Sequence, residues 1–434
     1  MTQNQMNTSM TRRHFLRSSS AIGAGLFLPA SLASLRGAEA PSSKIILGIM
    51  GTNGRGSDLA RGFLSRPGVE ITYVCDVDER AIAKASKIIG EKQARPPKGV
   101  KDFRRILEDR EVDALVIAAP DHWHAPATIL ACAAGKHVYV EKPASHNPQE
   151  GELMVKAARK YGRAVQVGTQ RRSMPGVMEA IERLRGGIIG KVLFSRGWYN
   201  NTRPTIGRGH KAAVPDWLDY SLWQGPAPDQ DYRDNLIHYN WHWFWHWGTG
   251  ELGNNGIHAL DVCRWGLGVD YPTRVSSGGG KYRYEDDQET PDTQTVTLDF
   301  GDKSITWEGR SWHGRGFENS MFGIAFYGEQ GTMIIDGGGY RIYDPKDVEM
   351  GKQSGSGSEI PHLQNFLDCI RSGERPRADI EEGHKSTLLC HLGNIAFRTG
   401  HTLHLDPKTH RPMNDRSASA LWKRDYRKGW QPEG

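Results

Sequence analysis

Residues 44–64 read KIILGIM-GTNGRG-SDLARGFL: a short apolar strand, a glycine-rich turn and the start of a helix. A helix that begins directly after such a turn offers unpaired backbone N–H groups and the positive end of its dipole to an anion. The usual dinucleotide fingerprint is G-x-G-x-x-G. Here Asn53 takes the place of the middle glycine and Gly54 follows it. Asparagine tolerates left-handed backbone better than most residues, so the stretch still predicts a phosphate-binding turn.

The next predicted strand, residues 71–75, ends at Asp76. An acid at this strand end accepts hydrogen bonds from ribose hydroxyls and repels a 2′-phosphate, which favours NAD over NADP. Arg55 and Arg80 lie nearby in the sequence and leave NADP open. The alternative is a parallel-sheet domain that binds a different ligand.

Polar residues follow several further predicted strands. Residues 114–119 precede Pro-Asp-His-Trp-His at 120–124, residues 138–140 precede Glu141-Lys142-Pro143, and residues 165–167 precede Gly-Thr-Gln-Arg-Arg at 168–172. Alternation of such strands with helices predicts a doubly wound parallel sheet, in which ligands bind outside the carboxyl ends of the strands. A lysine there, with a rigid proline after it, can direct its ammonium group at a substrate.

A second domain begins after this sheet and contributes a histidine. Residues 250–261 lead into a helix, and His258 and Asp261 are three residues apart, so they share a helical face. One interpretation is a histidine base whose imidazole tautomer is held by Asp261. The alternative is a buried histidine that simply bonds to this aspartate. Residues 293–300 and 304–307 alternate as antiparallel strands do, which predicts an open sheet.

The first 40 residues have the features of an export signal. Arg12-Arg13 form a twin-arginine pair, a mildly apolar stretch follows, and Ala38-Glu39-Ala40 is an A-x-A cleavage site. This predicts a twin-arginine signal peptide over residues 1–40, the export machinery as a partner, and a periplasmic or secreted protein. A disordered basic tail is the alternative. No later apolar run approaches the roughly 20 residues of a membrane span, so no stable insertion is expected once the signal is cleaved.

Charge and composition exclude other classes of protein. The whole chain carries a formal net charge of +6, and residues 1–40 hold four arginines and one glutamate, so the remainder carries +3. That balance, without a long basic run, argues against nucleic-acid binding. The five cysteines are scattered and give neither a metal-binding spacing nor a disulfide framework.

An aromatic run, WHWFWHW, occupies residues 241–247. If the run is extended, its four tryptophans share one face and the two histidines lie on the other. Indole faces suit the C–H faces of sugar rings, and they also suit an oligomer core. Tyr199 is a further candidate for substrate contact, with a solvated loop as the alternative. The alternating histidines lack a third ligand, so no metal is expected.

In combination these motifs resemble the Gfo/Idh/MocA oxidoreductases. The resemblance rests on the glycine turn, residues 120–124, Glu141-Lys142-Pro143 and Gly256-Ile257-His258-Ala259-Leu260-Asp261, and it covers residues 44–405. It implies an α/β protein with an N-terminal Rossmann domain and a C-terminal α/β domain with a large open, mostly antiparallel sheet. The predicted segments are a signal peptide (1–40), the Rossmann domain (41–165), the substrate-binding and oligomerisation domain (166–405) and a polar tail (406–434).

The resemblance also implies roles for individual residues. Lys142 is expected beside the nicotinamide and His258 at the proton transfer. Asn254 stands where the family commonly has an aspartate, and an amide cannot titrate, so a Lys–Asp–His relay is unavailable in that form. The expected substrate contacts are Asn254, Asp261, Arg171, Tyr199, Trp243 and His246. The expected cofactor contacts are Gly51, Thr52, Asn53, Gly54, Arg55, Asp76, Pro120, Asp121, His124, Glu141, Lys142 and Gln170.

The sequence thus predicts an exported NAD(P)-dependent oxidoreductase that acts on a sugar, polyol or sugar derivative. NAD, with NADP possible, is expected to be tightly bound, and a homodimer or homotetramer is expected through the C-terminal sheet. Two alternatives remain. One is a redox-neutral NAD-dependent glycosidase or lyase that oxidises the sugar transiently, and the other is a non-catalytic sugar-binding protein of the same fold.

Overall fold

The structure is a computed structural model, and it describes residues 44–433. The predicted signal peptide lies outside the described residues. Six parallel strands form the first sheet in the order β3-β2-β1-β4-β5-β6. This is the strand order of a dinucleotide-binding fold, so the doubly wound sheet is confirmed. Its strands are β1 (Ile45–Met50), β2 (Val69–Cys75), β3 (Lys98–Val100), β4 (Ala114–Ile117), β5 (His137–Val140) and β6 (Val165–Val167).

Five helices accompany this sheet, and two of them begin at a side-chain cap. The Asp78 side chain accepts a hydrogen bond from the Arg80 N–H at the start of the second helix. Asn147 caps the fifth helix in the same way, and Gly162 ends that helix in left-handed backbone (φ 59°). The helices are α1 (Arg55–Leu64), α2 (Glu79–Gly90), α3 (Arg104–Glu108), α4 (Asp121–Ala133) and α5 (Pro148–Tyr161).

The second sheet has nine strands in the order β14-β13-β12-β11-β7-β10-β9-β8-β15. Its strand pairs are antiparallel except for β10 beside β7. The predicted mostly antiparallel sheet is therefore confirmed. Its strands are β7 (Val192–Asn200), β8 (Arg274–Gly280), β9 (Thr293–Asp299), β10 (Ser304–Arg310), β11 (Phe322–Gly328), β12 (Gly331–Asp336), β13 (Gly339–Tyr343), β14 (Glu349–Gln353) and β15 (Leu403–His404).

Helices of the second half cover one face of the nine-stranded sheet and also reach the first sheet. Leu363, Phe366 and Leu367 share a buried apolar cluster with Phe63 and Tyr139 of the first domain. The Phe63 ring packs edge-on against the Tyr139 ring at 5.7 Å. The helices are α6 (Pro175–Arg185), α7 (Tyr220–Gln224), α8 (Ile257–Leu267), α9 (Ile360–Ser372), α10 (Ile380–Thr399) and α11 (Arg416–Ala420).

The aromatic run at 241–247 is not a strand, so the predicted segregation of tryptophans and histidines onto two faces is wrong. Residues Asn240–Trp243 form a 3-10 turn instead. Trp241, Trp243 and Trp247 are buried, and the Trp247 ring packs edge-on against Trp223 at 4.7 Å. Burial of the indoles from several directions thus outweighs the alternating pattern of the sequence.

The C-terminal tail packs on the first domain. The Trp422 side chain is buried, and its Nε1–H donates to Glu152 at 3.1 Å. The Trp430 ring meets the Trp123 ring edge-on at 5.1 Å. The tail is polar in sequence, yet Trp422 joins the apolar cluster of the second domain and the half-buried Trp430 packs against that of the first.

Candidate active site

A pocket of about 570 Å³ opens at the carboxyl ends of the first sheet. This size is typical of small-molecule and cofactor sites. Its wall combines the first domain with residues 222–254 of the second. The predicted cofactor residues that line it are Gly51, Asn53, Gly54, Arg55, Asp76, Pro120, Asp121, His124, Glu141, Lys142 and Gln170.

The glycine turn is shaped to let a ligand approach its backbone. Gly51 has a φ of 83°, and a Cβ there would lie 2.6 Å from the backbone of Ala118. A Cβ at Gly56 would lie 1.8 Å from the Gly51 carbonyl oxygen. At Gly54, by contrast, no described atom lies within 4 Å of such a Cβ, so the start of α1 faces open space. This cradle fits a pyrophosphate at a helix N-terminus.

Asp76 lies beside this turn, at the end of β2. Its Oδ2 accepts the Thr52 N–H at 2.7 Å and the Thr52 hydroxyl at 3.2 Å. Burial raises the pKa of Asp76, although these hydrogen bonds favour the ionised form. Thr52 is buried behind the turn, so it holds Asp76 in place and is not itself part of the pocket wall.

Arg55 lines the pocket, yet carboxylates already engage its guanidinium. Its Nε–H donates to Glu141 at 2.7 Å, and its Nη2 donates to Glu359 at 2.5 Å. Burial opposes the charge on Arg55, and the two carboxylates outweigh it and raise the pKa. Arg55 therefore joins α1 to β5 and to the segment before α9.

Lys142 projects from the end of β5 and contacts the second domain. Its ammonium group donates to the Asn254 carbonyl oxygen at 2.7 Å and to Asn254 Oδ1 at 2.9 Å. Burial lowers the pKa of Lys142, while the nearby Glu141, Asp121 and Glu251 carboxylates oppose that change. The lysine and the asparagine expected to serve the chemistry are thus brought together.

Asp121 and His124 begin α4 beside this lysine. The Asp121 Oδ2 accepts the Thr249 hydroxyl at 2.7 Å, and burial raises the pKa of this carboxyl group. The His124 ring lies between the carbonyl oxygens of Pro143, 2.6 Å from Nδ1, and Ala119, 2.8 Å from Nε2. His124 therefore fixes the loop after Lys142 against the end of β4.

His258 lies one helical turn beyond Asn254, and the pocket wall within residues 44–433 includes Asn254 but not His258. Desolvation lowers the pKa of His258 well below its usual range, and the positive charges of Lys142 and Arg171 add to this effect. The imidazole is therefore neutral near pH 7.

The expectation that Asp261 orients His258 is wrong. Asp261 is buried and accepts the Arg172 Nε–H at 2.9 Å with both carboxylate oxygens. The Ser386 hydroxyl also donates to it, at 2.6 Å. Arg172 stands only one residue after Arg171 but 89 residues before Asp261, and no local pattern signals that pairing.

The aromatic run reaches the pocket through residues other than those expected. Trp241, His242 and Tyr239 line the wall, whereas Trp243 and His246 do not belong to it. His242 Nδ1 lies 2.6 Å from the Tyr239 carbonyl oxygen. A carbonyl can only accept, so Nδ1 carries the proton and Nε2 keeps a lone pair. Burial, together with the nearby positive charge of Lys142, lowers the pKa of His242 to about 3.

The remaining predicted substrate residues lie away from this wall. His246 bonds through Nε2 to the Pro228 carbonyl at 2.8 Å, and Trp243 lies under the Arg203 guanidinium at 4.9 Å. The Tyr199 hydroxyl accepts the Asn201 amide at 2.7 Å. The Arg171 guanidinium stacks over Phe322 at 4.1 Å. Because residues 240–243 form a 3-10 turn, residues 239, 241 and 242 line the pocket in place of the predicted residues 243 and 246.

Among residues 44–433, no group of three or more His, Cys, Asp or Glu side chains is placed to hold a metal ion. Of the helices in the same range, none has the length and apolar character that a membrane span requires.

Comparison with known proteins identifies the family. Residues 45–169 match the oxidoreductase family model described as the NAD-binding Rossmann fold, and residues 219–405 match that of the C-terminal alpha/beta domain. The chain belongs to the Gfo/Idh/MocA oxidoreductase family. Its first domain is accordingly an NAD-binding Rossmann domain.

Among curated relatives, the chain is similar to a glycosyl hydrolase family 109 protein of Saccharopolyspora erythraea. The two are 32% identical over 209 residues, which is 44% of this chain and 45% of that one. It is also similar to the inositol 2-dehydrogenase of Salmonella typhimurium, with 30% identity over 228 residues, covering 52% of this chain and 55% of that one. The chain therefore spans about half the length of these relatives.

A solved structure described as levoglucosan dehydrogenase in complex with NADH and levoglucosan has the same fold. It is 18% identical, with a TM-score of 0.65, and the match covers 83% of this chain and 99% of that one.

Proposed function

We propose that the protein transfers a hydride between a carbinol carbon of a sugar, polyol or sugar derivative and a nicotinamide cofactor. The observation that carries this proposal is the contact of Lys142 with Asn254. It places an ammonium group in the pocket that also contains the glycine turn and His242. The lining of the pocket thus combines the phosphate-binding glycine turn, the Lys142 cation and the neutral His242 imidazole.

The pocket residues divide the chemistry between them. When bound, the nicotinamide supplies the hydride acceptor. The Lys142 ammonium stabilises negative charge that develops on the substrate oxygen, and such preorganised charge is often the largest catalytic contribution. A neutral histidine accepts the hydroxyl proton. Two histidines are candidates for this base. The sequence motif indicates His258, and the pocket geometry adds His242, whose Nε2 carries a free lone pair.

The cofactor is proposed to be tightly bound NAD in a protein exported by the twin-arginine route to the periplasm or beyond. Arg12-Arg13 and the A-x-A site support export. No soluble NAD pool exists outside the cytoplasm, so an exported enzyme has to retain its cofactor. A homodimer or homotetramer through the nine-stranded sheet, with a small carbohydrate substrate, completes the proposal.

A second candidate is a redox-neutral glycosidase or lyase. Transient oxidation of a sugar carbon acidifies the neighbouring C–H, so the glycosidic bond can be eliminated and water added before the carbon is reduced again. This sequence needs more than one proton transfer. Two imidazoles, His242 and His258, near one lysine support it, as does the similarity to glycosyl hydrolase family 109.

One experiment separates the two candidates. Purified protein is incubated in D₂O with a panel of free sugars, polyols and nitrophenyl glycosides, while nitrophenol release and nicotinamide absorbance are followed. Net oxidoreduction gives a lasting change in nicotinamide absorbance with free sugars or polyols. The glycosidase gives nitrophenol without such a change, and deuterium enters the sugar beside the oxidised carbon. A protein that binds sugar but does neither is the non-catalytic alternative.

A further inference from the structure

Asp78 and Arg80 form a bidentate ion pair. They lie two and four residues after Asp76, which follows β2. The Arg80 Nε–H donates to Asp78 Oδ1 at 3.0 Å, and Nη2 donates to Oδ2 at 2.8 Å. Asp78 is 2% exposed, so its carboxylate is anchored. Burial opposes its ionisation, yet the hydrogen bonds from Arg80 and His238 lower the pKa of Asp78 to about 2.

The second domain completes this cluster. The Arg80 guanidinium lies over the Trp217 ring at 3.4 Å, a distance suited to a cation–π contact. His238 lines the pocket, and its Nε2 lies 2.8 Å from Asp78 Oδ2. The backbone is tied as well, because the Asp219 N–H donates to the Val77 carbonyl at 3.0 Å. Arg80 is therefore fixed by a carboxylate on one side and an indole on the other.

Two other cations at this end of the pocket, Arg55 and Lys101, also have carboxylate partners. Arg55 bonds to Glu141 and Glu359, and Lys101 lies 2.7 Å from Glu79. An arginine near the end of β2 is the usual partner of a 2′-phosphate on the adenosine ribose. Here the arginine in that part of the sequence is Arg80.

We propose that Asp78 determines dinucleotide specificity: it holds Arg80 on Trp217, away from the ribose, and so excludes a 2′-phosphorylated dinucleotide. This inference rests on the proposed nicotinamide site and extends it to the choice between NAD and NADP. Asp78 acts through Arg80 and is thus a positioning residue, whereas Asp76 lines the pocket and is the residue that would contact the ribose.

The test is a binding competition that does not depend on turnover. The purified protein is equilibrated with equal concentrations of NADH and NADPH, and bound nucleotides, including any that copurify, are quantified by mass spectrometry. The variant Asp78→Asn removes the charge and keeps a residue that caps a helix well. Asp102→Asn is a matched control, because Asp102 holds Arg104 in the same bidentate way at 2.6 and 3.0 Å and caps its N–H. This pair follows β3 instead of β2, and its arginine lies over Trp430 of the C-terminal tail at 5.0 Å.

We expect Asp78→Asn to lower the ratio of bound NADH to bound NADPH by about 10-fold or more. The released Arg80 then gains one charge-assisted hydrogen bond to the 2′-phosphate, which accounts for a change of this size. Asp102→Asn should leave the ratio unchanged, and Asp78→Asn/Arg80→Ala should restore it. If the double variant keeps the gain, loss of repulsion by Asp78 is the cause and the role of Arg80 is overturned.

Arg80→Ala alone keeps the test decisive if Asp78→Asn folds poorly. In the parent protein Asp78 holds Arg80 on Trp217, so Arg80 contributes nothing to NADPH binding there. Arg80→Ala should therefore bind NADPH as the parent does. Weaker NADPH binding would mean that Arg80 already reaches the phosphate and would overturn the proposal. A parent protein that binds neither dinucleotide would instead refute the proposed function itself.

Discussion

Lys142 donates hydrogen bonds to both the carbonyl oxygen and the side-chain Oδ1 of Asn254, at 2.7 and 2.9 Å. Lys142 lies two residues after β5 of the Rossmann domain, and Asn254 belongs to the π-helical turn before α8. The contact therefore joins the two domains at the pocket. An amide directs the ammonium group without exchanging a proton with it, so Asn254 positions Lys142 and cannot relay its proton.

Asn254→Asp tests this relationship through the pH profile. Burial lowers the pKa of Lys142, so the cation is lost at lower pH than for a solvated lysine. A carboxylate at 254 favours the cation and should raise that pKa by about 1 unit or more. If the cation is the active form, the alkaline limb of the pH–rate profile should move upward by the same amount. Movement of the acidic limb instead would identify neutral Lys142 as the base.

Lys142→Ala and Lys136→Ala compare two lysines at opposite ends of β5. Lys142→Ala should lower turnover on the order of 100-fold or more, because it removes the cation at the developing oxyanion. Lys136 is buried and donates to the Asp109 and Val112 carbonyls at 2.6 and 2.8 Å. Its loss should cost about 1–3 kcal/mol of unfolding free energy and leave turnover per folded molecule unchanged. Steady-state kinetics with denaturant unfolding separates the two, and equal loss of turnover would contradict the assignment.

The parts that the sequence predicted well depend on neighbours in the chain. The strand, turn and helix over residues 44–64 form one local unit, and the structure reproduces them as β1, the Gly51 turn and α1. The strands of the second sheet likewise follow from alternating residues such as those of β9 and β10.

The parts that it missed depend on distant partners. Asp261 bonds to Arg172, 89 residues away, and Trp247 packs on Trp223. The tail covers α4 because Trp430 meets Trp123, a contact across more than 300 residues of chain. Such pairings are decided by the assembled surfaces and leave no periodic signal in the sequence.

The outer face of the nine-stranded sheet is the predicted oligomer contact. Tyr327 on β11 is paired in register with Phe194 on β7, their rings are 5.5 Å apart, and Tyr327 is 39% exposed. Tyr327→Glu should convert the predicted dimer or tetramer to a monomer in light scattering, because it buries a charge in an apolar contact. Leu130→Glu, at a side chain 40% exposed on α4, is the control and should not change the mass. A monomeric parent protein would refute this prediction.

Export is tested within residues 1–40. Replacing both arginines of the pair, Arg12→Lys/Arg13→Lys, should leave unprocessed protein in the cytoplasm, because the pair is the feature that the route reads. Arg17→Lys has the same chemistry a few residues later and should be processed normally. Immunoblotting of cell fractions provides the measurement. Normal processing of the double variant would rule out the twin-arginine route.

His242→Ala and His246→Ala compare two histidines of one aromatic run. His242 lines the pocket with Nδ1 held by the Tyr239 carbonyl, so its Nε2 can accept a proton. His246 has both ring nitrogens engaged, by Pro228 and Gln230. If His242 is an acid–base group, its loss should lower turnover by roughly 100- to 10,000-fold, and His246→Ala should change it little.

The comparison of these variants with His258→Ala then decides between the two proposed reactions. A single proton transfer needs one base, so hydride transfer from a free sugar should depend strongly on one of His242 and His258. Elimination and readdition of water need more than one transfer, so a glycosidase should depend on both. Near-normal turnover in both single variants would place the proton transfer on another residue, and Asp121, whose pKa burial raises, would be the next to substitute.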